Sequence, residues 1–146
     1  MESASTLKVL AAVSDDKLSQ SVVPGGYTLQ SLAWHITMSI AALPAYAGVV
    51  PMPEKKPAPG TIAEIIAAYE RNSAQLVEGV KKTNDAQLEE EVAAFGRTFR
   101  RGALLSITLS HQTHHRAQMT VLLKQAGLKV PGVYGPSEDD VAAMKK

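Results

Sequence analysis

The chain has 146 residues, the common size of one domain, and we expect a single domain over residues 1–146. Hydrophobic residues make up 45% and charged residues 20%, a globular composition that excludes a disordered chain. The net charge of +1 predicts no surface for nucleic acid or for an anionic membrane. Because the chain has no cysteine, a disulfide framework, a thiolate metal site and a cysteine nucleophile are excluded.

Helical periodicity accounts for the chain without any strand. Apolar residues recur at helical spacing, and no run alternates as a half-buried strand does. The capping-box pattern at Thr61 and the stop signals at Gly127 and Pro131 mark helix ends. The four predicted helices span about residues 3–13, 28–48, 61–82 and 99–126. We expect an irregular tail over about residues 130–146, which are rich in Gly and Pro.

A proline-rich linker separates the second and third predicted helices. Residues 50–60 contain four prolines, which favour an extended chain of ~3.1 Å per residue and roughly 30 Å in all. That is the length of a helix of about 20 residues. The linker can therefore cross the whole molecule and leave the third helix parallel to the second. We predict an all-α four-helix bundle with one long crossover between helices 2 and 3.

The second predicted helix lies in a stretch without charge. No Asp, Glu, Lys or Arg occurs in residues 18–53, and residues 33–50 are long enough to cross a bilayer. Polar residues interrupt this stretch, however, and the N-terminal ten residues lack the features of a signal peptide. We expect a soluble, cytoplasmic protein with no membrane partner. The helix is expected to be buried, with a second apolar side against another subunit, formed by Trp34, Ile36 and Ile40.

Three of the four histidines are predicted to point inward. On the fourth helix, His111 and His115 lie ~40° apart. We place both in the middle of an inward stripe with Leu104, Ile107, Thr108, Gln118 and Leu122. His35 lies on the inward face of the second helix. His114 is ~60° off the stripe, and we interpret it as a boundary residue or as a residue that supports a ligand from behind.

Three imidazoles in an apolar interior need partners, since an unpaired ring nitrogen costs ~1–3 kcal/mol. One divalent cation satisfies all three, because neutral imidazole nitrogens coordinate it directly. Two histidines four residues apart on a helix bind one metal, and His35 completes a three-histidine site with an open position. The alternative is a polar network without metal, formed by the histidines with Ser39, Thr108 and Gln118.

Known zinc-protease motifs do not occur around these histidines. The HExxH motif needs Glu where the chain has Gln112, and the HxxEH motif needs Glu where it has His114. No carboxylate lies on the histidine face of either helix, so the catalytic residues stay unknown and a metalloprotease is not favoured. We expect Arg116, ~140° from His111, to pair with an acidic residue of a neighbouring helix or subunit.

Gln118 and Tyr46 are further candidates to support the site. Gln118 shares the stripe of the two histidines, and Tyr46 projects from the same face as His35. For Tyr46, Tyr69 and Tyr134, packing in the core or at the surface is the alternative role.

Two segments resemble the DinB-like (damage-inducible) metal-binding four-helix bundles. Residues 28–36, TLQSLAWHI, are similar to the first-ligand helix of that family. Residues 111–118, HQTHHRAQ, with 122–127, LLKQAG, and 130–136, VPGVYGP, are similar to its signature segment. The resemblance spans about residues 14–136. The family shares its fold with transferases that use bacillithiol or mycothiol.

The resemblance implies a metal site and a class of chemistry. It implies that His35, His111 and His115 are the metal ligands, in an up-down-down-up bundle that forms a homodimer. Zinc or nickel is the implied metal, with iron or manganese as alternatives. The implied activity is transfer to, or isomerisation with, a low-molecular-weight thiol that the metal holds as thiolate.

Three hypotheses of function follow from the sequence. The first is a divalent-metal-dependent enzyme, a thiol-dependent S-transferase or isomerase. The second is a non-catalytic homodimeric bundle that binds a metal and a ligand. The third is a structural bundle in which the histidines are polar packing and the uncharged helix forms a dimer interface.

Overall fold

The computed structural model describes residues 1–145. They contain six α-helices, one short 3₁₀ helix and a two-stranded hairpin. In chain order they are α1 (Glu2–Ala11), the 3₁₀ helix (Asp15–Lys17), α2 (Leu29–Tyr46), α3 (Ile62–Lys81), α4 (Asp85–Glu89), β1 (Glu91–Ala94), β2 (Arg97–Arg100), α5 (Arg101–Gln125) and α6 (Glu138–Met144). The chain is therefore mostly helical, and the four predicted helices correspond to α1, α2, α3 and α5.

Side-chain caps explain where the two central helices begin. The Thr28 hydroxyl accepts a hydrogen bond from the Ser31 backbone, and the Ser31 hydroxyl accepts one from the Thr28 backbone. Thr61 likewise accepts from the backbone N–H of Glu64. Helices α2 and α3 start directly after these capping residues; the cap at Thr61 was predicted, and the cap at Thr28 was not.

One buried apolar cluster is shared by α1, α2, α3 and α5. Helix α2 packs against α3 and α5, and α1 contacts the same two helices. Large members of the cluster are Leu10, Leu32, Ile36, Ile65, Tyr69, Met119 and Leu122. Each large apolar side chain buried in this way contributes about 1.5–3 kcal/mol. The two histidine-bearing helices, α2 and α5, are therefore held in direct contact by this core.

The uncharged helix α2 is covered by its own chain. Ile36 and Ile40 are 0% and 2% exposed inside the shared core, so the prediction that they face another subunit is wrong. The third residue of that predicted side, Trp34, donates from its indole N–H to the carbonyl of Lys56 in the linker. The linker therefore lies beside α2. Because α2 packs against α3, α5 and the linker, its surface needs to be uncharged on three sides. Within residues 1–145 no helix is long and apolar enough to cross a bilayer.

A β-hairpin connects α4 to α5, and the expectation of a chain without strands is wrong here. Strands β1 and β2 pair antiparallel, with Glu91 opposite Arg100 and Ala94 opposite Arg97. Phe95 and Gly96 make the turn with φ of 53° and 72°. Each strand has four residues, and only Ala94 is buried. So short and exposed a hairpin leaves no alternating pattern to detect.

The expectation of an irregular C-terminal tail is correct only up to residue 137, because α6 follows. Ser137 caps this helix by accepting from the backbone N–H of Asp140, whose carboxylate accepts from the N–H of Ser137. The same carboxylate accepts from the N–H of Gly132, which ties the preceding loop to the helix.

Candidate metal centre

The three histidines His35, His111 and His115 meet at one point between α2 and α5. The Nε2 atom of His35 lies 3.1 Å from Nε2 of His115 and 3.3 Å from Nε2 of His111. The candidate ligand atoms of all three lie within 4.8 Å of one another. The two helices therefore bring together three nitrogen donors that are up to 80 residues apart in sequence.

The prediction that the histidines lie in the middle of the buried face is wrong, because the cluster lies at the edge of the core. Averaged over the eight buried side chains of α5, the buried direction is ~70° from His111 and ~30° from His115. The buried direction of α2 is likewise ~130° from His35. His35 and His111 are half-buried, and Ile107, predicted to point inward, is 38% exposed. The edge position leaves the cluster open to molecules from solution.

Gln118 determines which nitrogen of His115 faces the cluster. Its Oε1 atom lies 2.7 Å from Nδ1 of His115. Because an amide oxygen only accepts hydrogen bonds, Nδ1 carries the ring proton in this contact. In the neutral ring, the Nε2 atom of His115 then carries no proton, and its lone pair points at the other two rings.

The surroundings of His111 and His35 favour the neutral form of both rings at pH 7. Burial, and then the neighbouring rings of His115, His35 and His114, lowers the pKa of His111 to about 4. Burial, and then His115, also lowers the pKa of His35 below its ordinary value of 6.5. Protonation of either ring would place a positive charge beside the other imidazoles. Neutral rings keep the nitrogen lone pairs that a metal needs.

The spacing of the His35 nitrogen from each of the other two fits one divalent cation. In a tetrahedral site with metal–nitrogen bonds of ~2.0–2.1 Å, ligand nitrogens are about 3.3 Å apart. The separations of 3.1 and 3.3 Å from His35 agree with that value. One feature departs from common metal sites: Nδ1 of His111 is buried and has no hydrogen-bond partner within residues 1–145. This ring lacks the second hydrogen bond that orients most metal-bound histidines.

Of the other residues predicted near the site, His114 lies close to it and Tyr46 does not. The His114 ring is exposed and contacts the ring of His115 edge-on, with centroids 4.8 Å apart. Tyr46 lies three turns from His35, ~16 Å along the helix. Its ring packs on Phe95 of the hairpin, 4.8 Å between centroids.

Arg116 pairs with an acidic residue of a neighbouring helix, as predicted. Its Nη2 atom lies 2.7 Å from Oε2 of Glu2 in α1, and the arginine side chain is only 2% exposed. The hydroxyl of Tyr134 donates to the same carboxylate oxygen at 2.7 Å. Tyr69 is a core residue that donates to Oε1 of Gln112 at 2.6 Å. Arg116 and Tyr69 therefore belong to the packing between helices, while Tyr134 is 65% exposed and lies at the surface.

Sequence reasoning missed Tyr27 as a neighbour of the cluster. Its ring centroid lies 6.1 Å from that of His35 and 6.2 Å from that of His115. Tyr27 directly precedes the capping residue of α2, a position from which a side chain folds back over the first turn towards the fourth helical residue, here Leu32. Both side chains line one cavity, described below. The capping pattern at Thr28 was the signal that could have placed this ring near His35.

Comparison with known protein families matches residues 2–146 to the DinB family. The chain belongs to this family. Among its relatives, the uncharacterized protein YrdA of Bacillus subtilis (strain 168) is 34% identical over 144 residues, which cover 97% of this chain and 86% of YrdA.

Solved structures of DinB-like proteins share the fold. The crystal structure of a DinB-like protein from Bacillus cereus ATCC 10987 matches with a TM-score of 0.85 and 38% identity over 91% of both chains. That of the DinB-like protein YjoA from Bacillus subtilis matches with a TM-score of 0.74 and 19% identity, over 90% of this chain and 91% of YjoA. At the lower identity the likeness concerns the fold alone.

Proposed function

We propose that His35, His111 and His115 bind one divalent cation, zinc or nickel in the first place and iron or manganese as alternatives. The observation that supports this most strongly is the approach of Nε2 of His35 to the other two Nε2 atoms, at 3.1 and 3.3 Å. Three neutral imidazoles suit all four metals, so the donor set alone does not choose among them. The hydrogen bond from His115 to Gln118 supports the same proposal, because it directs Nε2 of His115 to the cluster.

We further propose that the protein is a metal-dependent enzyme, a thiol-dependent S-transferase or isomerase. A divalent cation with neutral ligands keeps its charge and deprotonates a bound thiol. The chain itself contributes the position of the three rings, the fixed tautomer of His115 and access along the half-buried side of His35 and His111. A non-catalytic metal- and ligand-binding role is the second candidate. It is favoured by one observation: within residues 1–145, no carboxylate hydrogen-bonds to the three rings.

The proposal extends to architecture, assembly and location. We infer that α1, α2, α3 and α5 form an up-down-down-up four-helix bundle in one domain over residues 1–146, supported by their shared core. A homodimer is proposed from the resemblance to the DinB-like family. We propose that the protein is cytoplasmic, because small thiols stay reduced in that compartment.

Metal analysis of the protein purified without a histidine tag tests the metal site. We expect about one equivalent of bound metal in the wild type and a large loss in His111→Ala, since two imidazoles bind a cation far more weakly than three. Ser110→Ala is the matched control, because it changes an exposed residue next to His111 that offers no metal ligand. Metal far below one equivalent, or equal content in both variants, would contradict the metal site.

Turnover assays separate the enzyme from the binding module. Metal-loaded protein is incubated with an electrophile and a panel of small thiols, and loss of thiol and isomerisation of the electrophile are both followed over time. The enzyme hypothesis expects a metal-dependent rate with at least one thiol and its loss in His111→Ala. A metal-loaded protein without a rate across the panel would identify the binding module instead.

A further inference from the structure

A small apolar cavity of about 240 Å³ lies beside the histidine cluster, between the loop that precedes α2 and the second half of α5. Its walls include side chains from both elements: Val22, Val23, Tyr27, Gln118, Val121 and Leu122. Of the lining residues in the described part of the chain, none carries a charge. A charged group inside this cavity would lose its hydration without gaining an opposite charge.

The cavity and the cluster share a wall. Gln118 lines the cavity, and its Oε1 atom lies 2.7 Å from Nδ1 of His115. Tyr27 also lines the cavity, with its ring about 6 Å from the rings of His35 and His115. The three histidines do not line the cavity themselves, and Gln118 and Tyr27 lie between it and their rings. This continuity distinguishes it from four larger surface depressions, which do not border the cluster.

Apolar side chains at the rim of the cavity are exposed to solvent. Val22, Val23 and Val121 are 61%, 56% and 53% exposed, and Tyr27 is 56% exposed. Single exposed apolar residues are common, but four around one cavity next to polar donors are typical of a binding site for a small molecule. The apolar body of a ligand would cover these side chains on binding.

We propose that this cavity binds the uncharged, apolar body of the substrate whose reacting end reaches the metal. This inference rests on the proposed function and adds the chemical class of the substrate. Its size follows from volume: a dry cavity of about 150 Å³ accepts benzene. The larger cavity here holds one six-membered ring with a short substituent. The uncharged walls disfavour an anionic molecule of the same size.

Titration with phenylmethanol and benzoate, followed by NMR of the valine methyl groups, tests the inference. The two probes share a ring and differ in charge. We expect phenylmethanol to shift the methyl signals of Val22 and Val121 saturably, and benzoate to bind at least about 10-fold more weakly. Val121→Asp and Val22→Asp, on opposite walls, should each weaken phenylmethanol binding about 10-fold or more. Val77→Asp on α3 is the matched control, because Val77 is similarly exposed, at 49%, and lies outside the cavity.

Three results would overturn the inference. The first is equal affinity for phenylmethanol and benzoate, and the second is equal effects of Val121→Asp and Val77→Asp on phenylmethanol binding. The third is a wild-type protein that is a dimer, binds no phenylmethanol and dissociates when Val121 is replaced by Asp, since the valines would then form a contact between two copies of the chain. Metal content is measured in parallel on the same samples. A protein that binds phenylmethanol but no metal contradicts the proposed function alone, and one that binds metal but not phenylmethanol contradicts this inference alone.

Discussion

In helix α5, Oε1 of Gln118 accepts a hydrogen bond from Nδ1 of His115 at 2.7 Å, three residues away in the chain. The contact directs the unprotonated Nε2 atom of His115 to the two other rings. His111 has no such support within residues 1–145, where its buried Nδ1 is unpartnered. Gln118 therefore fixes the orientation of the His115 ring from within the same helix, and the cluster depends on this contact.

Replacement of this glutamine should weaken metal binding. Gln118→Leu removes the acceptor of the Nδ1 proton, and we expect the metal affinity to fall about 10–100-fold, as for other partners of metal-bound histidines. Competition with a chelator measures the affinity. Gln125→Leu, an exposed glutamine at the end of the same helix, should leave it unchanged. Equal affinities in the two variants would contradict the role of Gln118.

The buried Arg116 and the half-buried Glu2 form an ion pair, and their contributions to the free energy of unfolding should be strongly coupled. Arg116 is 2% exposed, so removal of Glu2 leaves a cation with little access to water. In a double-mutant cycle of Glu2→Gln and Arg116→Met, we expect a coupling free energy of about 1–3 kcal/mol from urea unfolding. The exposed pair Glu78–Lys81 provides the control cycle, with an expected coupling below about 1 kcal/mol. Similar coupling in both cycles would show that burial does not strengthen the first pair.

The same ion pair predicts a loss of stability in acid. Hydrogen bonds from Tyr134 and from Arg116 hold the pKa of Glu2 below its ordinary value of 4.5, against the effect of burial. The folded chain thus binds fewer protons at Glu2 than the unfolded chain. This contribution is complete above the unfolded pKa and is lost as the pH falls through the folded pKa.

Urea unfolding of wild type and Glu2→Gln at about pH 6 and about pH 3 measures this loss. We expect the free energy of unfolding to fall more in the wild type, because glutamine does not titrate. A parallel decrease in the two proteins would assign the acid sensitivity to other groups.

The candidate site could be predicted from sequence because its residues follow helix geometry. His111 and His115 lie one turn apart, and His35 lies on the helix that packs against theirs, although the buried side of α2 is ~130° from it. The depth of the site could not be predicted. Gln112 and Arg116 are buried, and their partners, Tyr69 and Glu2, lie on other helices and are distant in sequence. A pattern that counts apolar residues therefore places the buried face of α5 too close to His111.

The hairpin escaped prediction for a different reason. Its strands pair through their backbones, and Ala94 is buried in a small cluster with Ala47 and Leu104, which lie on other elements. Phe95 occupies a left-handed position, with φ of 53°, where Asn, Asp or Gly is the usual signal of such a turn. Without that signal and without alternating apolar residues, the local sequence does not distinguish this hairpin from a loop.

The hairpin turn gives a test of backbone conformation without side-chain clashes. Gly96 has φ of 72°, and a Cβ added there would meet nothing within 4 Å. Gly96→Ala should therefore destabilise the fold through its backbone alone, by about 1–2 kcal/mol. Gly60→Ala is the matched control, since it has equal space and no left-handed φ, and we expect it to be neutral or stabilising by up to about 1 kcal/mol. Thermal and urea unfolding measure both variants, and equal effects would contradict the left-handed turn at Gly96.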